Sequence, residues 1–196
     1  MKLSKIIMIV GAALLLALFV LPLWNITLEA PQYPEPIGMN IHINKIADAN
    51  PNDIQNINLM NHYVGMKDIP TDMLEFKIFP VVIGTMALLG IIIGIVGKHK
   101  LFLLWFIVMS LFGTAGMYDF YKWEYNYGHN LKETAAIKFT NDDGTPMAYQ
   151  PPLIGTKTIL NFVAHSYPRS GAIALFGGMG LSLVAFFVGM KEAKKE

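Results

Sequence analysis

Four stretches of the chain contain no Asp, Glu, Lys, Arg or His: Ile6–Asn25, Ile78–Gly97, Leu101–Tyr118 and Ser170–Met190. Each runs for roughly 18–21 residues, enough helix to cross a hydrocarbon layer of about 30 Å at 1.5 Å per residue. The pattern predicts an all-α membrane fold, a four-transmembrane-helix bundle with spans at 6–24, 78–97, 101–118 and 170–190. The whole of 1–196 then forms a single integral membrane domain. Glycines at close-packing intervals support it, with Gly90 and Gly94 in the second span, Gly113 and Gly116 in the third, and Gly177, Gly178 and Gly180 in the fourth. Small residues let helix backbones approach in lipid, either inside the bundle or against a partner subunit.

The polar segments 25–77 and 119–169 predict two loops on one side of the membrane. In the first, Leu28–Pro36 holds three prolines and predicts an extended, irregular run. Met39–Asn44 alternates apolar and polar residues, a strand signal, and Asn50–Asp53 predicts a turn. Ile54–Met66 again shows a period of two, so the two runs predict a small antiparallel β-hairpin or sheet. In the second loop, Thr156–His165 carries Ile159, Leu160, Phe162 and Val163, which predicts a short interfacial helix ended by Pro168. The third span runs into an aromatic segment, Tyr118–Tyr127, followed by Gly128 as a predicted helix stop that turns His129 back toward the bundle.

Charge orients the pattern. Lys2, Lys5, Lys98, Lys100, Lys191, Lys194 and Lys195 crowd the short ends and the short turn between the second and third spans. Basic residues mark the cytoplasmic side, so both termini are expected in the cytoplasm and both long loops outside. The first span is expected to stay as an anchor: its apolar run is long for a signal peptide and no small-residue cleavage site follows. The sequon Asn25-Ile26-Thr27 abuts the membrane and is discounted.

Composition narrows the chemistry. The chain is 54% hydrophobic and 15% charged, with a mean hydropathy of +0.44; a soluble domain is about a quarter charged. It has no Cys, which removes disulfides, thiolate metal sites, iron–sulfur clusters and cysteine nucleophiles. No basic stripe suits nucleic acid. No ionisable residue sits within a span, which disfavours a pump or a coupled transporter. Nucleophile elbows, phosphate loops, zinc-helix motifs and dinucleotide fingerprints are missing, so an enzyme is not expected. An acid or base role for Asp119, Glu124 or His129 is the weakest reading.

Candidate chemistry lies in the outer loops, which hold His42, His62, His129 and His165. Met39-x-x-His42 and Met60-x-His62-x-x-x-Met66 pair thioethers with imidazoles. With no thiolate available, that set suits copper better than zinc. Met and His in such loops also serve as ordinary core filling, and the spacing alone leaves both readings open. Asp119, Glu124 and His129 recur at intervals of five among the aromatics, which an interfacial aromatic belt alone does not explain. The candidate metal ligands are therefore His62, Met66 and His129, followed by His42, Met60 and Asp119.

The segments Tyr33–Met39, Asn61–Lys67, Tyr118–Leu131 and Met147–Gly155 resemble a bacterial four-span membrane protein family associated with nitrous oxide reductase maturation gene clusters. The resemblance implies a location in the bacterial inner membrane and a role in copper supply or assembly for an extracytoplasmic copper enzyme. The expected partners are membrane lipid and a membrane or periplasmic protein, the copper enzyme or its maturation factors. The alternative is a structural or assembly subunit of a membrane complex with no metal.

Overall fold

The computed structural model describes residues 2–133, 135–141 and 143–195; Met1, Thr134, Asp142 and Glu196 lie outside the described residues. Helix α1 (Leu3–Leu14) tightens into a 3-10 turn over Leu15–Phe19. The chain then leaves the helix before Pro22, which has no N–H to continue the ladder, and enters strand β1 (Trp24–Glu29). Strands β2 (Ile37–Ile41) and β3 (Ile46–Asp48), helix α2 (Asp53–Val64), and long helices α3 (Glu75–Val96) and α4 (His99–His129) follow. Strands β4 (Gly155–Ile159) and β5 (Phe162–Pro168) precede the last helix, α5 (Ser170–Ala193).

The expected all-α, four-helix bundle is therefore corrected. Among the described residues, five strands form one antiparallel sheet in the order β3-β2-β1-β5-β4, beside five helices. Three helices, α3, α4 and α5, are long and apolar enough to cross a membrane. The first charge-free stretch does not supply a fourth on the same terms, because its last residues, Trp24 and Asn25, belong to the central strand. Absence of charge does not distinguish an apolar helix from a buried strand; here both occur in one run.

Two further corrections concern period. Ile54–Val64, most of that run, is helical and not a strand, with Gly65 and Met66 beyond the helix end. The face it buries contains Ile57 and Asn61, and Ile54 and Val64 pack on the same core. These four positions fall at helical spacing. Asn52, in the left-handed region at φ 69°, and Gly65, at φ 80°, bound the helix. Asp53 anchors its start by accepting the backbone N–H groups of Gly38 at 2.8 Å and Asn50 at 2.9 Å. Conversely, Thr156–His165 is a hairpin, not an interfacial helix: β4 and β5 pair from Gly155↔Ser166 to Ile159↔Phe162 around a tight turn. The β-branched Thr156, Thr158 and Ile159 favour the strand. Met39–Asn44 does begin as a strand, but β2 pairs with β1 and β3, not with the Ile54–Met66 run.

The molecule has two cores. One lies among the helices, around Met8, Phe102, Trp105 and Met109. There the Trp105 indole donates to the Met86 carbonyl at 2.9 Å. Helix α1 lies against α3 and α5, and the glycines set how closely. A Cβ at Gly178 would come within 2.5 Å of the Gly11 carbonyl, and one at Gly94 within 2.6 Å of Ile9. By contrast, Gly113, Gly116 and Gly180 face open space. The first residues of α1, the α3–α4 turn and the end of α5 share one end of the helices. Ser4 Oγ donates to Glu192 at 2.6 Å, and Lys5 Nζ donates to the Ile95 carbonyl at 2.9 Å. The sheet occupies the opposite end, tied on where Arg169 and Gly171 donate to Leu23 and Pro22.

The second core joins these parts. Helix α4 has 31 residues, about 46 Å of helix, against a charge-free stretch that ends at Tyr118. Its remaining turns, from Asp119 onward, project beyond the membrane-length portion into the sheet domain. Phe120, Trp123 and Tyr127 there pack with Trp24, Ile26, Met39, Ile57 and Met66. Gly128 does not stop the helix, which continues to His129. Its role is clearance: a Cβ there would lie 2.4 Å from the backbone nitrogen of Gln150, and the Tyr149 N–H donates to the Gly128 carbonyl at 2.9 Å.

Candidate functional site

The sheet domain encloses a cavity of about 80 Å³ between β1, β2, α2 and the projecting end of α4. That is room for a few water molecules or one small guest. Its walls are almost wholly apolar. The sheet contributes Ile26, Leu28, Met39, Ile159 and Phe162; helix α2 contributes Ile57, Met60, Asn61 and Val64; Met66 and Ile69 follow it. The far wall is Trp123, Glu124 and Tyr127 of α4, with Tyr149 and Pro151 from the segment that crosses Gly128.

Glu124 is the exceptional member. Its side chain is fully buried, at 0% exposure, and neither carboxylate oxygen has a hydrogen-bond partner among the described residues. Helical spacing places it there: Phe120, Trp123 and Tyr127 surround it on the face that enters the core. Burial pushes its pKa up to about 8, because a desolvated carboxylate disfavours its charged form. The other polar wall groups are satisfied. Asn61 donates to the Tyr127 hydroxyl at 2.7 Å, and that hydroxyl donates to the Lys67 carbonyl. Burial first, and Asp68 second, hold the Tyr127 phenol above its ordinary range; burial does the same to Tyr149.

The candidate ligands separate into two groups. Met60 and Met66 line the cavity, and Met39 joins them from β2. Met39 and Met66 are buried in the domain core. Met60 is half-buried, with Gln32 Nε2 3.6 Å from its sulfur on the outer side. His62, His129, His42 and Asp119 lie outside the cavity wall. His62 is exposed on α2, edge-on to Tyr63. His129 is exposed at the end of α4; its ring stacks on Tyr125 at 4.0 Å and its Nδ1 lies 2.9 Å from the Tyr125 carbonyl. His42 is half-buried beside the β2–β3 turn, where burial and then Lys45 lower its pKa. Asp119 is half-buried on α4. Among the described residues, no group of three or more His, Asp and Glu side chains is placed to hold a metal ion. His165 pairs with Glu29 at 3.1 Å on the sheet, and Thr156 Oγ1 lies 2.9 Å from its Nδ1. The Asn141–Pro146 turn is closed by Asn141 and Thr145, with Asp142 outside the described residues.

The sequence singles out Glu124 but does not show its place in a cavity with methionines. The signal was present in the spacing of Phe120, Trp123, Glu124 and Tyr127, which puts the carboxylate in the middle of an apolar helix face. What Met39 and Met66 meet across the sheet domain carried no local signal. No protein-family model matches the chain, and no curated protein matches it.

Proposed function

We propose that the chain is a bacterial inner-membrane accessory protein that holds copper in its extramembrane sheet domain, in service of an extracytoplasmic copper enzyme such as nitrous oxide reductase. In this reading α3, α4 and α5 cross the membrane. The α3–α4 turn and the C-terminus, with their lysines, lie on the cytoplasmic side, and the sheet domain faces outward. One observation carries the metal role: Met39 of β2, and Met60 and Met66 of α2 and the residues just after it, line one cavity. Thioethers are soft donors that favour Cu(I), and a chain without Cys has no thiolate to compete for it. The deciding experiment is metal analysis of the detergent-purified, full-length protein after exposure to Cu(I) under reductant and removal of free metal. The expected result is about one copper per chain. Protein that retains no copper, and co-purifies with a fixed membrane partner, supports the alternative, a structural or assembly subunit without metal. The glycine-lined helices favour that second reading, because Gly113, Gly116 and Gly180 have nothing packed on them.

A further inference from the structure

We propose that the cavity of the sheet domain is selective for a single monovalent soft cation, Cu(I) or its analogue Ag(I), with Glu124 as the counter-charge opposite the thioethers of Met39, Met60 and Met66. This rests on the copper-holding reading above and identifies its site, its charge and its ligands. Methionines that merely fill a core would explain the sulfur atoms but not a fully buried carboxyl with both oxygens unpartnered in the same wall. Such a group opposes folding unless something satisfies it. A cation seated among the thioethers does so directly.

The charge of that cation follows from the wall. Glu124 is the one Asp, Glu, Lys, Arg or His among the lining residues; Tyr127 is engaged with Asn61 and Lys67, and the sheet contributes hydrocarbon and thioether alone. One carboxylate balances one positive charge. A divalent ion leaves a net charge in an apolar cavity, which low-dielectric surroundings penalise heavily. Donor softness acts in the same direction: three thioethers and no wall imidazole disfavour Zn(II) and Cu(II). Access has a visible route. Met60, Val64 and Phe162 line both the cavity and an outer groove beside Gln32 and Tyr63, so the half-buried Met60 is the ligand an incoming ion meets first.

The test measures binding of Cu(I), Ag(I), Zn(II) and Cu(II) to the full-length protein in detergent, against a competing chelator. The wild type is compared with Glu124→Gln and with Met39→Leu/Met66→Leu. The wild type is expected to hold one Cu(I) or Ag(I) and neither divalent ion. Glu124→Gln is expected to weaken Cu(I) binding about tenfold or more, the loss of one buried charge pairing. X-ray absorption of the wild-type Cu(I) protein is a second readout, independent of variant folding, and should show sulfur with one oxygen ligand. Unchanged Cu(I) affinity in Glu124→Gln, or a spectrum dominated by imidazole nitrogen, overturns this site and leaves the copper role standing elsewhere. Failure of the wild type to hold Cu(I) overturns the site together with the function.

Discussion

A carboxyl group with no exposed surface and no hydrogen bond opposes folding whenever it is ionised, and among the described residues Glu124 is such a group. Its folded pKa, about 8, stands above the ordinary value of 4.5. A raised folded pKa means that the native state binds the proton more tightly than the unfolded chain. The proton-linked stability is full below about pH 4.5 and is lost as pH rises toward 8, at about 1.4 kcal/mol per pH unit at most. Glu124→Gln removes this linkage. In the metal-free protein the variant should melt at a higher temperature than the wild type at pH 7.5–8. The two should converge near pH 4.5, provided the rest of the protein remains folded there. A wild type whose melting temperature follows that of the variant at every pH would show that Glu124 is solvated in the native state. At this scale the sequence was partly legible. It marks Met60 and Met66 as chemistry and places Glu124 among aromatics, but it cannot show that Glu124 joins the methionines in one cavity wall, because more than fifty residues of chain separate it from them.

At the scale of elements, α2 carries the cavity wall, and its start depends on Asp53. That side chain is 3% exposed and accepts N–H groups from Gly38 and Asn50, tying the helix to β2. Asp53→Ala leaves these donors without their acceptor, at a cost of about 1–3 kcal/mol. Thermal unfolding followed by tryptophan fluorescence should show a lower midpoint, and hydrogen exchange should quicken in α2 before α3. Unaltered exchange in α2 would mean that packing alone holds the helix. The same element shows why local pattern misleads. Ile54, Met60 and Val64 share a strand's parity, while Ile54, Ile57, Asn61 and Val64 share a helix face; the core contacts selected the second. In β4 and β5 the ambiguity resolved the other way, because β5 pairs with the buried central strand β1 from Trp24↔Pro168 to Glu29↔Val163.

Across the whole molecule, two ends of opposite character are joined by helices of membrane length. One collects the lysines of the termini and the α3–α4 turn, and the other is the sheet domain. The absence of native Cys makes the proposed orientation directly measurable. A single cysteine at Lys138 should react with a membrane-impermeant maleimide in cells whose outer membrane alone has been opened. A cysteine at Lys98 should react only after the inner membrane is breached. The reverse pattern would place the sheet domain in the cytoplasm and remove the basis for supplying an extracytoplasmic enzyme. Hydropathy thus determined, from sequence alone, that the chain has helices long and apolar enough to cross a membrane, since that depends on composition summed over local windows. Tertiary structure decided that the first apolar run turns into the middle of a sheet, that α4 runs past its charge-free stretch to bring Glu124 into a core, and that Met39 of β2 lines the same cavity as Met60 and Met66. Those outcomes depend on which surfaces bury one another, a property of the folded chain as a whole that no local window contains.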